Sequence, residues 1–364
     1  MGSFSKKLAA AAAVAAVSAV AVPTASAATF ETVATGLDNP RSVAFHDGAV
    51  YVANAGRGGK QCRGKGEEAM CIGTTGRIVR VAADGRKSTV ARGMFSLAGQ
   101  GGPFAAGLHG VSVADDGTVF GVTGSATPRD LQGVPAAVRS KVGRVFRASG
   151  GAFSAVARVD RLEHRRNLDN VKGDKNSNPY AVLALAADHQ IVVDAGANAV
   201  LEVRDGKVSL LSLIPNRRGG RRQSVPSSIA RGPDGAYYVG ELAESSGNGK
   251  ARVWRIPAGG GDAEVYRSGF TTISGLAFAT DGTMYVTEFA LNFETLKGRL
   301  VQVSPDGSSR RVLAGGRKLR APTGAAVDPA TGAVYVSNFS VLPRKTPKNG
   351  PFGGRGGTLV KITP

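Results

Sequence analysis

Six polar residues recur at equivalent places along the chain: Asn54, Thr123, Asp194, Glu241, Glu288 and Asn338. Each closes a short apolar run that follows a tight turn, as in "AVYVAN" near the start and "AVYVSN" near the end. Five of the six are carboxylates or amides. A ring of such oxygens is the donor set taken by hard divalent cations such as calcium. The same residue types at strand ends also accept backbone N–H bonds from nearby loops. That structural use accounts for all six copies at once, whereas a metal needs only some of them.

A second set stands at the start of each unit: Arg41, His109, Tyr180, Ser227, Ser274 and Thr323. These are mostly hydroxyls, with one guanidinium and one imidazole. Imidazole titrates near neutral pH, so His109 is an acid–base candidate. Its plainer alternative is a histidine satisfied within the fold. The chain has no G-x-S-x-G elbow, no H-E-x-x-H, no phosphate loop and no dinucleotide fingerprint. "GDKNSNPY" (173–180) has the D-x-N-x-N start of a calcium loop. Pro179 stands where such a loop needs Gly, and no Glu closes it after twelve residues. Asp174, Asn176 and Asn178 are expected to stabilise a turn instead.

Both sets belong to one repeated unit. Copies begin at Pro40, His109, Pro179, Pro226, Ile273 and Pro322. The first half of each reads like "RSVAFHDGAVYVANAG", the second half like "GRLVQVSPDGSSRRVLAGG". Each half holds two alternating segments around a tight turn, giving four strands, A to D. Asp-Gly pairs such as Asp205-Gly206 and Asp281-Gly282 supply the positive φ that hairpin turns require. A four-stranded unit of about 40 to 50 residues, repeated six times, predicts an all-β fold, a six-bladed β-propeller. The sixth copy stops at Pro364 after strand C. Residues 29–37, "TFETVATGL", resemble the strand D segment "KSTVARGM". The N-terminal strand is therefore expected to complete the last blade and remove an open edge. Residues 28–364 form one domain. The long connections join strands B and C, so they crowd one face, the end that carries both polar sets. Repeated insertion on one face marks a binding face.

Composition sets the compartment. Lys6 and Lys7 precede an apolar run over 8–22, and Ala25-Ser26-Ala27 is a cleavage site of the small-x-small type. The run is shorter than the roughly 20 residues a bilayer needs. Residues 1–27 read as a secretory signal peptide, and the mature protein as secreted, without a membrane span, and a monomer. Cys62 and Cys71 lie in a Gly-rich loop. In an exported chain the pair reads as a disulfide. A two-thiolate metal site would find no His in that loop. The net charge is +19, clustered at 161–166, 217–222, 317–320 and 344–348. Such clusters keep a surface solvated or attract anionic glycans and cell-envelope polymers. Export and the lack of an aromatic stacking motif argue against genomic nucleic acid.

The order of motifs resembles the exported ScyD/ScyE family of bacterial propellers, named for proteins linked to scytonemin biosynthesis. The resemblance rests on "VATGLDNPRSVAF" (33–45), "CIGTTGRIVRV" (71–81), "SNPYAVLAL" (177–185), "GPDGAYYVGEL" (232–242), "ARVWRIPAGG" (251–260), "TTISGLAFATDGTMYVTEFA" (271–290) and "PTGAAVDPATGAVYVSN" (322–338). It implies a six-bladed fold and export, and brings no catalytic residues. The wider neighbourhood holds NHL-repeat proteins and gluconolactonase-like lactonases. Those lactonases bind a metal through Glu, Asn and Asp near the starts of inner strands, where this chain has Arg, Tyr, Ser and Thr. The expected function is a ligand-binding or scaffold module, taking a small molecule or anionic glycan on its long-loop face. The alternative is a metal-dependent hydrolase or lactonase with Asn54, Asp194, Glu241, Glu288 and Asn338 as ligands, its metal polarising a carbonyl or activating water. A third reading is an enzyme acting on an aromatic metabolite.

Overall fold

A computed structural model describes residues 27–124, 126, 131–217, 223–243 and 247–364. The expected leader lies outside the described residues except for Ala27. After β1 (Thr29–Leu37), strands come in groups of four. The first is β2 (Pro40–His46), β3 (Ala49–Asn54), then, past the short β4 (Gln61–Arg63), β5 (Met70–Val81) and β6 (Lys87–Gly99). The second is β7 (Ala106–Val113), β8 (Val119–Thr123), β9 (Arg144–Ser149) and β10 (Ala152–Arg158). The third is β11 (Pro179–Ala186), β12 (His189–Asp194), β13 (Ala199–Arg204) and β14 (Lys207–Leu213). The fourth is β15 (Pro226–Arg231), β16 (Tyr237–Glu241), β17 (Ala251–Ile256) and β18 (Glu264–Phe270). The fifth is β19 (Ile273–Phe278), β20 (Met284–Glu288), β21 (Lys297–Val303) and β22 (Arg310–Arg320). The chain ends with β23 (Thr323–Val327), β24 (Val334–Asn338) and β25 (Gly357–Thr363). Helix α1 (Ala136–Arg139) lies between β8 and β9, and α2 (Asp160–Arg166) follows β10.

The fold is an all-β propeller. Strands pair antiparallel within each group, giving four separate four-stranded sheets. The first two groups fuse into one nine-stranded sheet, where Ser96 and Leu97 of β6 pair with Gly107 and Ala106 of β7. That fused sheet contains two successive meanders. The first strands β2, β7, β11, β15, β19 and β23 touch in ring order, and β23 returns to β2. Closure comes from β1, which pairs along β25 from Thr29–Thr363 to Leu37–Gly357. The strand predicted to seal the ring is therefore in place, and β25 has no open edge.

Position along each blade decides composition. All of "YYVGE" in β16 and "MYVTE" in β20 is buried, because strands near the axis are covered on both faces. Outer strands such as β14 alternate towards solvent. The core fills the gaps between blades. Val50, Val52 and Val79 of the first blade pack with Ala326, Tyr335 and Leu359 of the last. Each such valine or leucine contributes about 1.5–3 kcal/mol of burial. Turn chemistry follows the sequence: Asp205 and Gly206 both take positive φ, 49° and 73°, as a type I′ hairpin requires. Cys62 and Cys71 are joined as a disulfide directly across β4 and β5. Among the described residues no helix is long and apolar enough to cross a membrane.

One device repeats in every inner strand. Register shifts occur between Pro40 and Val43, Leu108 and Gly110, Pro179 and Ala181, Pro226 and Ser228, Ile273 and Gly275, and Thr323 and Ala326. Each is a bulge near the strand's start. His109, Tyr180, Ser227 and Ser274 are the extra residues that oppose no partner, and Arg41 lies within the first bulge. A bulge re-aims a side chain without ending the strand.

Candidate functional site on the long-loop face

The two polar sets meet at one end of the ring. Pro40 pairs with Asn54, Leu108 with Thr123, Pro179 with Asp194, Pro226 with Glu241 and Ile273 with Glu288. The start of each first strand thus faces the end of the second, as the repeat predicts.

The side chains that close the second strands are buried, and each is engaged by neighbouring backbone or side-chain groups. Asn54 Oδ1 accepts the Asp38 N–H at 3.0 Å. Asp194 Oδ1 accepts the Asn178 N–H at 2.6 Å, and Oδ2 accepts Ser177 Oγ–H at 2.6 Å. Glu288 Oε1 accepts the Thr271 N–H, and its other oxygen pairs with Arg299. Asn338 Oδ1 accepts the Arg320 N–H at 2.8 Å, while its Nδ2 donates to the Lys318 carbonyl at 2.9 Å. Thr123 Oγ–H donates to the Lys141 carbonyl at 2.7 Å. Glu241 differs: Oε2 accepts the Trp254 indole N–H at 3.0 Å, and Oε1 meets Arg217.

Four of these bonds reach the segment that leads into the blade's own first strand. A backbone bond that latches the lead-in recurs in every blade. Asn39, Gly107, Asn178, Val225, Thr272 and Ala321 each accept, through their carbonyls, the N–H of Ala55, Gly124, Ala195, Leu242, Phe289 and Ser340. Asn39, Val225, Thr272 and Ala321 sit at positive φ, between 43° and 53°. That backbone is costly for β-branched Val225 and Thr272, and the latch holds it. Four of the six polar positions are thus lead-in clamps. Among the described residues no three His, Cys, Asp or Glu side chains come together to hold a metal ion.

Side chains at the starts of the first strands stitch blades to one another. Ser227 Oγ donates to the Ile273 carbonyl at 2.6 Å, and Ser274 Oγ to the Pro322 carbonyl at 2.9 Å. Thr323 Oγ1 reaches the Arg41 carbonyl at 3.2 Å, across the ring closure. Arg41 itself donates to the Ala105 carbonyl at 2.5 Å. His109 is buried, accepts the Gly107 N–H at Nε2 at 3.2 Å, and lies 4.6 Å from the Tyr180 ring. Burial first, then the Arg41 charge, pushes its pKa down to about 3, with the Pro179 carbonyl opposing. His109 is therefore neutral at physiological pH. Gly124 is required beside it, since a Cβ there would meet His109 and Asn178 at 2.6 Å.

Inside the ring, all six first strands line a channel of about 510 Å³. It runs from Tyr180, Ser227, Ser274 and Thr323 at the latch end to Asp115 and Arg231 at the other. The described long-loop face carries a second cavity, of about 600 Å³, at the rim where β22 meets the last blade. Arg317, Lys318, Arg344 and Arg355 line it, with Phe30 and Phe339. Beside it Asp38, almost fully buried, gathers Arg57 at 3.6 Å, Arg77 at 3.3 Å and Arg344 at 2.5 Å. Neither Asp38 nor the rim cavity stood among the residues singled out from sequence. The signals available were the basic clusters at 317–320 and 344–348.

No protein-family model matches the chain, and no curated protein is significantly similar to it. Solved structures do match its fold. A gluconolactonase from Xanthomonas campestris is 10% identical, with 92% of this chain and 89% of that one covered and a TM-score of 0.51. Regucalcin from Agrobacterium tumefaciens, a calcium-binding protein, is 14% identical, with 90% and 92% covered and a TM-score of 0.53. The PQQ-bound aldose sugar dehydrogenase of Streptomyces coelicolor is 16% identical, with 94% and 100% covered and a TM-score of 0.54. At such identities the likeness is one of fold: this chain shares the propeller architecture of these proteins.

Proposed function

We propose that this chain is an exported, monomeric β-propeller of the ScyD/ScyE type. It acts as a ligand-binding module whose site lies on the long-loop face. The observation that carries the reading is the preformed rim cavity on that face, about 600 Å³ and within the size range of small-ligand sites. The five carboxylates and amides considered as metal ligands are already committed, each to backbone or side-chain partners. To serve as ligands they would have to leave those bonds. The disulfide is compatible with an oxidising compartment.

The test is a ligand panel of sugars, sugar phosphates and small metabolites, read by thermal shift on the purified chain. Ligands that stabilise the protein, and lose their effect when rim residues change, support the module. Lactone hydrolysis that needs a divalent ion and disappears in Glu241→Ala and Glu288→Ala, without a rim-dependent ligand, would replace it with the hydrolase reading.

A further inference from the structure

We propose that the rim cavity binds the phosphate groups of an anionic glycan or polyol-phosphate chain. This rests on the module reading above and names its ligand class. The cavity walls come from three places far apart in sequence. β22 supplies Arg317 and Lys318, β1 supplies Phe30 and Thr35, and the loop after β24 supplies Arg344 and Arg355. Every charged residue of the lining is a cation. Four cations around one cavity exceed what a single carboxylate would balance. A phosphate ester carries about 1.5 to 2 negative charges at neutral pH and three acceptor oxygens. Arginine forks match that geometry.

Three of the four cations are held in advance. Asp38 fixes Arg344 through both Nε, at 3.1 Å, and Nη2, at 2.5 Å. Two further arginines share Asp38, so it does not cancel the local positive field. Lys318 lies over the Phe30 ring at 5.8 Å and Arg355 over Phe339 at 6.0 Å. Asn338 bonds the backbone on both sides of Leu319, which sets the strand bearing Arg317 and Lys318 against the last blade. Ordering of this kind lowers the entropy lost on binding. Phe339 is buried and a cation faces each ring, so the cavity offers no platform for a stacked base. That favours a phosphate chain without bases over nucleic acid.

The experiment titrates the full chain with poly(glycerol phosphate) of defined length, and with glucose 6-phosphate, by calorimetry at several salt concentrations. Binding of one or both is expected, weakening as salt rises. Arg317→Ala combined with Lys318→Ala removes two exposed side chains and should weaken it about tenfold or more, as loss of two phosphate contacts implies. An equal loss of charge elsewhere, Arg165→Ala with Arg166→Ala, should leave affinity within about twofold, since those charges lie outside the cavity. Unchanged melting temperature in both pairs shows that the fold is retained. The proposal falls if neither probe binds, if the two pairs weaken binding equally, or if single-stranded DNA of matched charge binds more tightly than the polymer. A neutral ligand that binds at the rim while both phosphates fail would overturn this inference and leave the module reading standing.

Discussion

Asn338 uses one amide to hold two backbone groups of the segment that enters its blade, and Glu288 and Asp194 each hold one lead-in N–H with a carboxylate. Their worth is the cost of leaving buried N–H groups unmade. Asn338→Ala should lower unfolding free energy by about 1–3 kcal/mol in urea titration. Glu288→Gln should cost less than Glu288→Ala, because Gln keeps an acceptor for Thr271. A metal ligand would respond differently: stability would fall on adding a chelator, and the latch account predicts no change. His109 gives a second test at this scale. Its folded pKa lies below the unfolded value, so its stabilising contribution is complete above about pH 6.5 and is lost as pH falls towards 3. Proton NMR should show a neutral His109 ring at pH 5, and a titration midpoint near 6.5 would contradict the buried placement. Glu163 has the opposite sign. Burial first raises its carboxyl to about 6, with nearby Asp169, Asp194 and Asp174 adding to the rise and the Leu168 N–H opposing it. Its contribution is present below about pH 4.5 and lost as pH climbs through 6. Glu163→Gln should therefore raise the melting temperature at pH 7 relative to the parent and give no gain at pH 4.5. The recurrence of Asn, Asp and Glu was plain in the sequence. Which backbone each one holds was not, because the partner lies some sixteen to eighteen residues upstream, across a strand pair.

At the scale of elements, the repeat made the strand order readable. Four alternating segments and an Asp-Gly turn recur, and β1 was placed against β25 from its likeness to the other outer strands. Removing residues 28–37 should strip β25 of its partner and uncover Val79, Tyr335 and Leu359, the core against which Ala34 and Leu37 pack. The expected result is a chain that unfolds at much lower denaturant and aggregates through the open edge. A truncated chain as stable as the parent would show that closure lies elsewhere. The bulges at the starts of the inner strands were not legible. Arg41 and His109 share no chemistry with the hydroxyls Tyr180, Ser227 and Ser274; what the five have in common is a place where the backbone carries one residue more than its partner. Helix α2 was also missed. "DRLEHRR" is a charged segment in a connection, and its apolar anchor is Leu162, which packs into the core beside Val159.

The whole molecule joins what the sequence separates. The basic clusters at 317–320 and 344–348 were visible singly, while their shared cavity exists only because β1 closes the ring beside β22. The net charge of +19 adds a long-range attraction for anions, which salt weakens. The most direct test of where this molecule binds is hydrogen exchange on the full chain with and without poly(glycerol phosphate). The account predicts slowed exchange at 317–320 and 339–358. Slowing instead at the latch carboxylates, around 194, 241 and 288, and only when a divalent ion is present, would contradict it.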